Sequence, residues 1–412
     1  MRRSVYISIM ALLAVIVTGC KQGNVIELTY ASEVIDKVKD VRHGGDFVEV
    51  NVAIKKHRVN GNVVTITGKD KFTQIDRIYL HDGLEQIKLP STIEKISSYA
   101  FEGCTSLKSI ELPPSLMTIG RDVFRGCKSL QSCNIPENVT EIGVGIFNYC
   151  NNLTQITVSK GNKLFDSRDN CNAIISTLDN VLIAGCAKSK IPDSVTRIGE
   201  SAFEGTSISN VKFPSSVLTI GERAFLGCGD LTHIEWSDNL SVIESGAFWG
   251  CDGITSLWFP QSLTEICNDA FCDCDGITNL YITDNVKKLS GFRECRNLKR
   301  AIIDASKVEY DAFSYCENLI KVVFQSNVSY IDKFTFNECP IEEVEIRTPR
   351  TAFSCDRNAG GYLVSAPLIW KHLSNIDMQK TITSISDYGF VIVRKDGIYF
   401  RNVDPDYDGD EV

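Results

Sequence analysis

The apolar positions of this chain repeat with a long period. One phenylalanine returns per unit, at Phe101, Phe124, Phe147, Phe203, Phe225, Phe248, Phe271, Phe292, Phe313 and Phe336. The steps are 23, 23, 56, 22, 23, 23, 21, 21 and 23, so only the third breaks the rhythm, being about one unit plus 33 residues. Five residues before the ring stands an aliphatic side chain in nine of the ten units, from Ile96 to Ile331; the unit of Phe292 has Lys287 there. Three residues after it stands cysteine, from Cys104 to Cys339, with Thr206 as the one departure. Five or six residues after the ring, a leucine or isoleucine opens a short alternation such as Leu107-Lys-Ser-Ile110-Glu-Leu112.

An apolar-x-apolar alternation reads as a half-buried strand. The proline that follows it, as at Pro90, Pro113, Pro136, Pro214 and Pro260, ends the ladder. The segment around the ring, such as Ile220 to Phe225, does not alternate and predicts a turn with a short helical stretch. One strand and one turn cannot bury their own apolar face, so neighbouring units must stack. Eleven strand-like segments, from Ile87–Leu89 to Val344–Ile346, would make a pile about 50 Å long at ~4.8 Å per strand.

The flanks follow another pattern. Phe47 to Ala53 and Val63 to Thr67 alternate as strands, and Asn60-Gly61 is a hairpin-turn signal. Tyr388 to Val393 and Gly397 to Phe400 are again strand-like, with Lys395-Asp396-Gly397 as the turn. Both flanks are expected to cap the open ends of the pile. The extra 33 residues hold a hairpin, Ala173-Ile-Ile against Val181-Leu-Ile-Ala, within an insert at about 160–190.

The repeated phrases SLMTIGRDVFRGC (Ser115 to Cys127) and SVLTIGERAFLGC (Ser216 to Cys228) resemble the BspA-like leucine-rich repeats of bacterial surface proteins. The resemblance covers roughly residues 81–347. It implies a leucine-rich-repeat solenoid of α/β type, with one short parallel strand plus a turn or short helix per ~23-residue coil and small β-rich capping segments at both ends. It further implies an adhesive or recognition role outside the cytoplasm and no catalytic residues.

The leader is a second signal. Arg2 and Arg3 precede the apolar run Tyr6 to Val17, which is too short for a comfortable span of ~20 residues. Val17-Thr18-Gly19-Cys20 resembles a bacterial lipobox, which implies cleavage before Cys20 and diacylglycerol on its thiol. The domain reading is then signal peptide 1–19, lipidated cysteine and tether 20–30, N-terminal cap 31–80, solenoid 81–347 and C-terminal cap 348–412 with an acidic tail. The expected place is the cell envelope, anchored in the outer membrane. Lys21 to Asn24 lacks the acidic residues that often follow the lipidated cysteine of surface-exported lipoproteins, so the sequence leaves periplasmic and extracellular orientations open.

Composition narrows the chemistry. A net charge of −9 argues against nucleic acid and anionic membrane surfaces as partners, since both need clustered basic residues. Sixteen cysteines invite metal and disulfide readings. Zinc needs about four ligands converging on one point, whereas a ladder points its members in parallel. Stacked Cβ atoms ~4.8 Å apart exceed the roughly 3.5–4.5 Å of a bridge. The thiols are therefore read as fillers of small apolar slots, with Thr206 of similar size in the same place. Cys267, Cys272 and Cys274 are the one cluster left open to metal or disulfide.

The five histidines, His43, His57, His81, His233 and His372, form no HExxH, and neither GxSxG nor a Walker loop occurs, so no enzyme, metal site or cofactor is expected. Asp404 to Glu411 resembles the start of a calcium loop whose twelfth position would fall after Val412, and reads as a solvated acidic tail.

The functional lead is the middle residue of each triplet, which points away from the core. In order these are Lys88, Glu111, Asn134, Thr157, Lys212, Glu235, Trp258, Tyr281, Ile302, Val323 and Glu345. Trp258 to Val323 would form an apolar stripe for a protein or glycan ligand, with His233, Arg300 and Lys321 beside it for polar contact. Two rivals stand beside that reading. The C-terminal segment or a second chain covers the stripe, or the protein is a structural component of an envelope assembly without an external ligand.

Overall fold

The computed structural model describes residues 24–31, 48–50, 54–60, 62–78, 83–325, 327–328, 330–332, 335–346, 390–394 and 397–401. The leader, Cys20, Cys355, His43, His81, His372 and the acidic tail lie outside the described residues. The chain divides into two compact units, Met1–Ile208 and Ser209–Val412.

In the first unit each coil supplies two short strands where the sequence predicts one. The triplet strands pair in parallel, Leu84–Lys88 with Ser109–Ile110 and Ser132–Ile135 with Gln155–Val158. Two-residue strands at the aliphatic position, Lys95–Ile96, Thr118–Ile119 and Glu141–Ile142, build a second parallel ladder on Gln74–Ile78. The repeat ladder thus begins before residue 81. Antiparallel strands close both ladders on the N-terminal side. Val25–Tyr30 lies between Leu84–Lys88 and the hairpin of Ile54–Asn60 with Val63–Gly68, while Val48–Val50 pairs with Gln74–Ile78. Such strands satisfy an edge that would otherwise be an open template. The segment read as tether therefore holds a strand, because its alternation buries Ile26, Leu28 and Tyr30.

The insert pairs Ile174–Ser176 antiparallel with Val181–Ala184. The chain then passes the Phe203 ring at Gly185, where a Cβ would come within 2.1 Å of that ring. On the turn side the coil of Phe203 follows that of Phe147 directly, since the Tyr149 amide donates to the Glu204 carbonyl at 3.0 Å.

In the second unit the triplet strands Asn279–Ile282, Arg300–Ile303, Lys321–Phe324 and Glu343–Ile346 run in parallel and are continued by the antiparallel hairpin of Phe390–Arg394 and Gly397–Arg401. The two-residue strands run from Thr219–Ile220 to Tyr330–Ile331. Behind them the rings of Phe225, Phe248, Phe271, Phe292, Phe313 and Phe336 form a file with centroids 5.1–5.7 Å apart and planes within 3–10°. The first unit has the same file at Phe101, Phe124 and Phe147, with spacings of 5.4 and 5.6 Å.

The short helix expected around each ring is not formed, and its absence has a physical cause. Residues two before and two after the ring are left-handed, as at Arg223 (φ 53°), Gly227 (φ 69°), Asp269 (φ 55°) and Asp273 (φ 55°). An α-helix needs φ near −63° throughout. Here every second amide instead turns along the stack. Gly246, Phe248 and Gly250 donate to the carbonyls of Asn268, Ala270 and Cys272 on the next coil at 3.0, 2.7 and 2.9 Å. The amides between them, of Ala247, Trp249 and Cys251, close tight turns three residues back. Among the described residues the helical content is a single 3₁₀ turn, Arg168–Asn170.

Candidate functional site

The cysteine ladder is more than a set of fillers. Seven of its nine thiols reach the backbone of the preceding coil. Cys127, Cys150, Cys251, Cys274, Cys295, Cys316 and Cys339 donate to the carbonyls of Phe101, Phe124, Phe225, Phe248, Phe271, Phe292 and Phe313 at 2.9–3.2 Å. The bond joins consecutive coils at the ring. Burial pushes the Cys133 and Cys272 thiols up to about 12 and that of Cys267 to about 11, so they stay protonated near neutrality. All fourteen described cysteines are free, Cys267, Cys272 and Cys274 included. Among the described residues no group of three or more His, Cys, Asp or Glu could hold a metal ion.

A second polar cluster lies in the first unit. Asp122 and Glu204 are buried, and Arg125 reaches them at 3.6 and 3.3 Å while lying over the Tyr149 ring at 4.9 Å. Asn148 and Arg121 also donate to Asp122, and Ser201 to Glu204. The carboxylates are saturated from within the fold, so the cluster ties the coils across the insert and offers a ligand no open group.

The outward positions differ between the units. In the first, Lys88 pairs with Glu27 at 3.2 Å, and Thr157 donates to Asn134 at 2.9 Å. In the second, Lys212 pairs with Glu235 at 2.7 Å, and this hydrogen bond holds the Glu235 carboxyl below the usual range. His233, also exposed, stands 3.8 Å from Glu235. Trp258 is 72% exposed and Tyr281 43%. Ile302 is half-buried.

Val323 departs from the expected stripe, with 0% exposure. Its register is the outward one, since Tyr281, Ile302, Val323 and Glu345 face one another strand by strand. It sits on an interior strand, because the sheet continues past Glu343–Ile346 into the antiparallel hairpin. The short valine lies between Ile302 and Glu345, and Lys321 is held by Glu343 at 2.7 Å and Glu345 at 4.0 Å. The accessible stripe is therefore Trp258 and Tyr281, flanked by Ile302 and Arg300.

One feature here gives no sign in the sequence. The coil carrying Trp258 does not join the triplet sheet. Asn210–Lys212 pairs only with His233–Glu235, the next sheet starts at Asn279–Ile282, and segment 255–259 between them is not a strand. Among the described residues its peptide groups make no hydrogen bond to either neighbouring coil. Beside this open rung Trp236 stacks on Phe213 with centroids 5.9 Å apart and meets Phe259 at 5.8 Å, both Trp236 and Phe259 being half-exposed.

The family model for the BspA type leucine rich repeat region matches residues 74–180, 184–299 and 290–357, in six copies. The chain belongs to the BspA-type leucine-rich repeat family. The match starts at residue 74, where the parallel ladder starts. The BspA-type chain is also similar in fold to solved structures. The pneumococcal vaccine antigen PcpA is 20% identical, with a TM-score of 0.49, over 73% of this chain and 91% of that one. A leucine-rich repeat protein from Bacteroides ovatus ATCC 8483 is 21% identical, with a TM-score of 0.43, over 76% and 79%. A leucine rich cell surface protein from Faecalibacterium prausnitzii A2-165 is 21% identical, with a TM-score of 0.38, over 69% and 92%. Comparison with curated proteins finds no match. Likenesses this distant bear on neither ligand nor partner. No helix among the described residues is long and apolar enough to cross a membrane.

Proposed function

We propose that this BspA-type protein is a non-enzymatic, lipid-anchored component of the cell envelope whose solenoid binds a protein or glycan outside the cytoplasm. The observation that carries the reading is the pair of outward rings, Trp258 and Tyr281, beside a segment, 255–259, whose peptide groups bond to neither neighbouring coil. Exposed aromatic surface of this kind marks recognition sites. The phrase Val17 to Cys20 supports a lipid anchor in the outer membrane at Cys20. The name of the Faecalibacterium relative, a cell surface protein, supports envelope placement.

Two experiments test the proposal. Labelled palmitate should enter the wild-type protein and not Cys20→Ala, and protease shaving of intact cells reads the orientation. For any ligand found by a glycan and matrix-protein screen, Trp258→Ala with Tyr281→Ala should weaken binding with the melting temperature unchanged. Unaltered affinity would remove this face from the function.

A further inference from the structure

The face around Trp258 holds a charge that the fold leaves unused. Arg300 opens the strand Arg300–Ile303, opposite Asn279, and shares its face with Ile302, the register partner of Tyr281. Its Nε is buried and has no hydrogen-bond partner. No carboxylate lies within ion-pair distance of it among the described residues, whereas Lys321 on the next strand is 2.7 Å from Glu343. Arginines on the turn side of the same unit are also neutralised. Arg293 pairs with Asp269 at 2.9 Å and with Glu294 at 3.0 Å. The guanidinium thus has no acceptor from within the described fold, and since Arg300 as a whole is only half-buried, its outer nitrogens are where an incoming acceptor would meet it, on the face it shares with the Tyr281 row.

We infer that Trp258, Tyr281 and Arg300 form a subsite for an acidic glycan. The rings stack on the apolar faces of successive sugars, and the guanidinium takes a carboxylate through its planar fork. Three observations favour a glycan over a protein. The exposed apolar side chains of the outward row are two rings one coil apart, each accompanied by a small exposed polar side chain, Ser256 or Asn279, and not a continuous exposed patch of the kind a protein partner covers. Of the rest of the apolar stripe, Ile302 is half-buried and Val323 is buried. The open peptide groups of segment 255–259 offer donors and acceptors to hydroxyls. This inference rests on the proposal that the outer face binds a ligand.

The test is calorimetric titration of the full chain with hyaluronan oligosaccharide and with sialyllactose, each beside its methyl ester. At least one acid should bind, and its ester should bind about tenfold more weakly. Arg300→Ala should abolish that difference. Trp258→Ala should lower affinity for the acid about thirtyfold, with the thermal midpoint kept. Equal binding of acid and ester, an inert Arg300→Ala, or no binding of either acid overturns the inference. A glutamate-rich peptide titrated in parallel separates the two levels. Binding of the peptide alone, lost in Trp258→Ala, overturns the glycan and leaves the outer face as a binding surface. Acid binding that persists in both variants overturns this subsite and the wider reading of the face together.

Discussion

The outward rows of the two units are built on the same coil and carry different chemistry. In the first unit the row is polar and paired, through Lys88 with Glu27 and Asn134 with Thr157. In the second it changes within one coil from the ion pair of Lys212 and Glu235 to the bare rings of Trp258 and Tyr281. Behind both rows the stacked phenyl rings and the thiol-to-carbonyl bonds are the same. The contrast shows which positions hold the stack and which are free of it. An interior ring such as Phe248 stacks on the rings of both neighbouring coils, and a thiol such as that of Cys251 bonds the preceding one, so a change there is felt beyond its own coil. A middle triplet residue meets solvent or its own row, and can vary with little effect on stacking.

Changes on the two sides should separate cleanly, the largest effects coming from the interior. The buried thiols hold protons that the unfolded chain gives up near pH 9, so stability is full below that value and falls as pH rises from about 9 through about 12. A thiol as buried as Cys133 should contribute a loss of roughly 2 kcal/mol at about pH 10.5, and several thiols act together. Denaturant titrations at neutral and alkaline pH measure this, and a flat profile would show that the thiols already titrate normally. Phe248→Ala should cost about 3–5 kcal/mol, because the ring is fully buried between Phe225 and Phe271. Gly250→Ala should cost about 1 kcal/mol. The cost there is backbone strain alone, since φ is +68° and the nearest atoms to a Cβ are 3.9 Å away. Trp258→Ala should change stability by less than about 0.5 kcal/mol despite deleting the larger ring. If it approaches the cost of Phe248→Ala, the outer face is part of the core and the contrast fails.

Much of this was legible in the sequence. The spacing of the phenylalanines alone predicts a file of rings, because a repeat that cannot bury itself must stack. Asn60-Gly61 marked a turn, but the arm that pairs with Val63–Gly68 is Ile54–Asn60, while Val48–Val50 goes to another strand. The second strand row was hidden because each member is two residues long, as at Thr219–Ile220, and two residues show no alternation. Its signal was the aliphatic residue five positions before the ring. The helix was overpredicted because the left-handed positions that forbid it are filled by Arg223, Asp269 and Tyr315 as well as by glycine.

The site was half legible. Alternation places Trp258, Tyr281, Ile302 and Val323 on one face, and it says nothing of what neighbouring strands cover, which is why Val323 differs. Arg300 was named as a polar neighbour, but its lack of an acceptor is a property of the folded surroundings. The open rung was illegible, since Leu257-Trp258-Phe259 continues the same run of triplets as Ile234-Glu235-Trp236.

Amide hydrogen exchange on the unliganded chain tests the central contrast most directly, because it reads both faces of one coil at once. The amides of Phe248 and Gly250, bonded to the next coil at 2.7 and 2.9 Å, should be strongly protected. Those of segment 255–259, a few residues later in the same coil, should exchange roughly a hundredfold or more faster. Equal protection of the two segments would mean that the rung is paired like its neighbours, and would contradict an open recognition surface at Trp258.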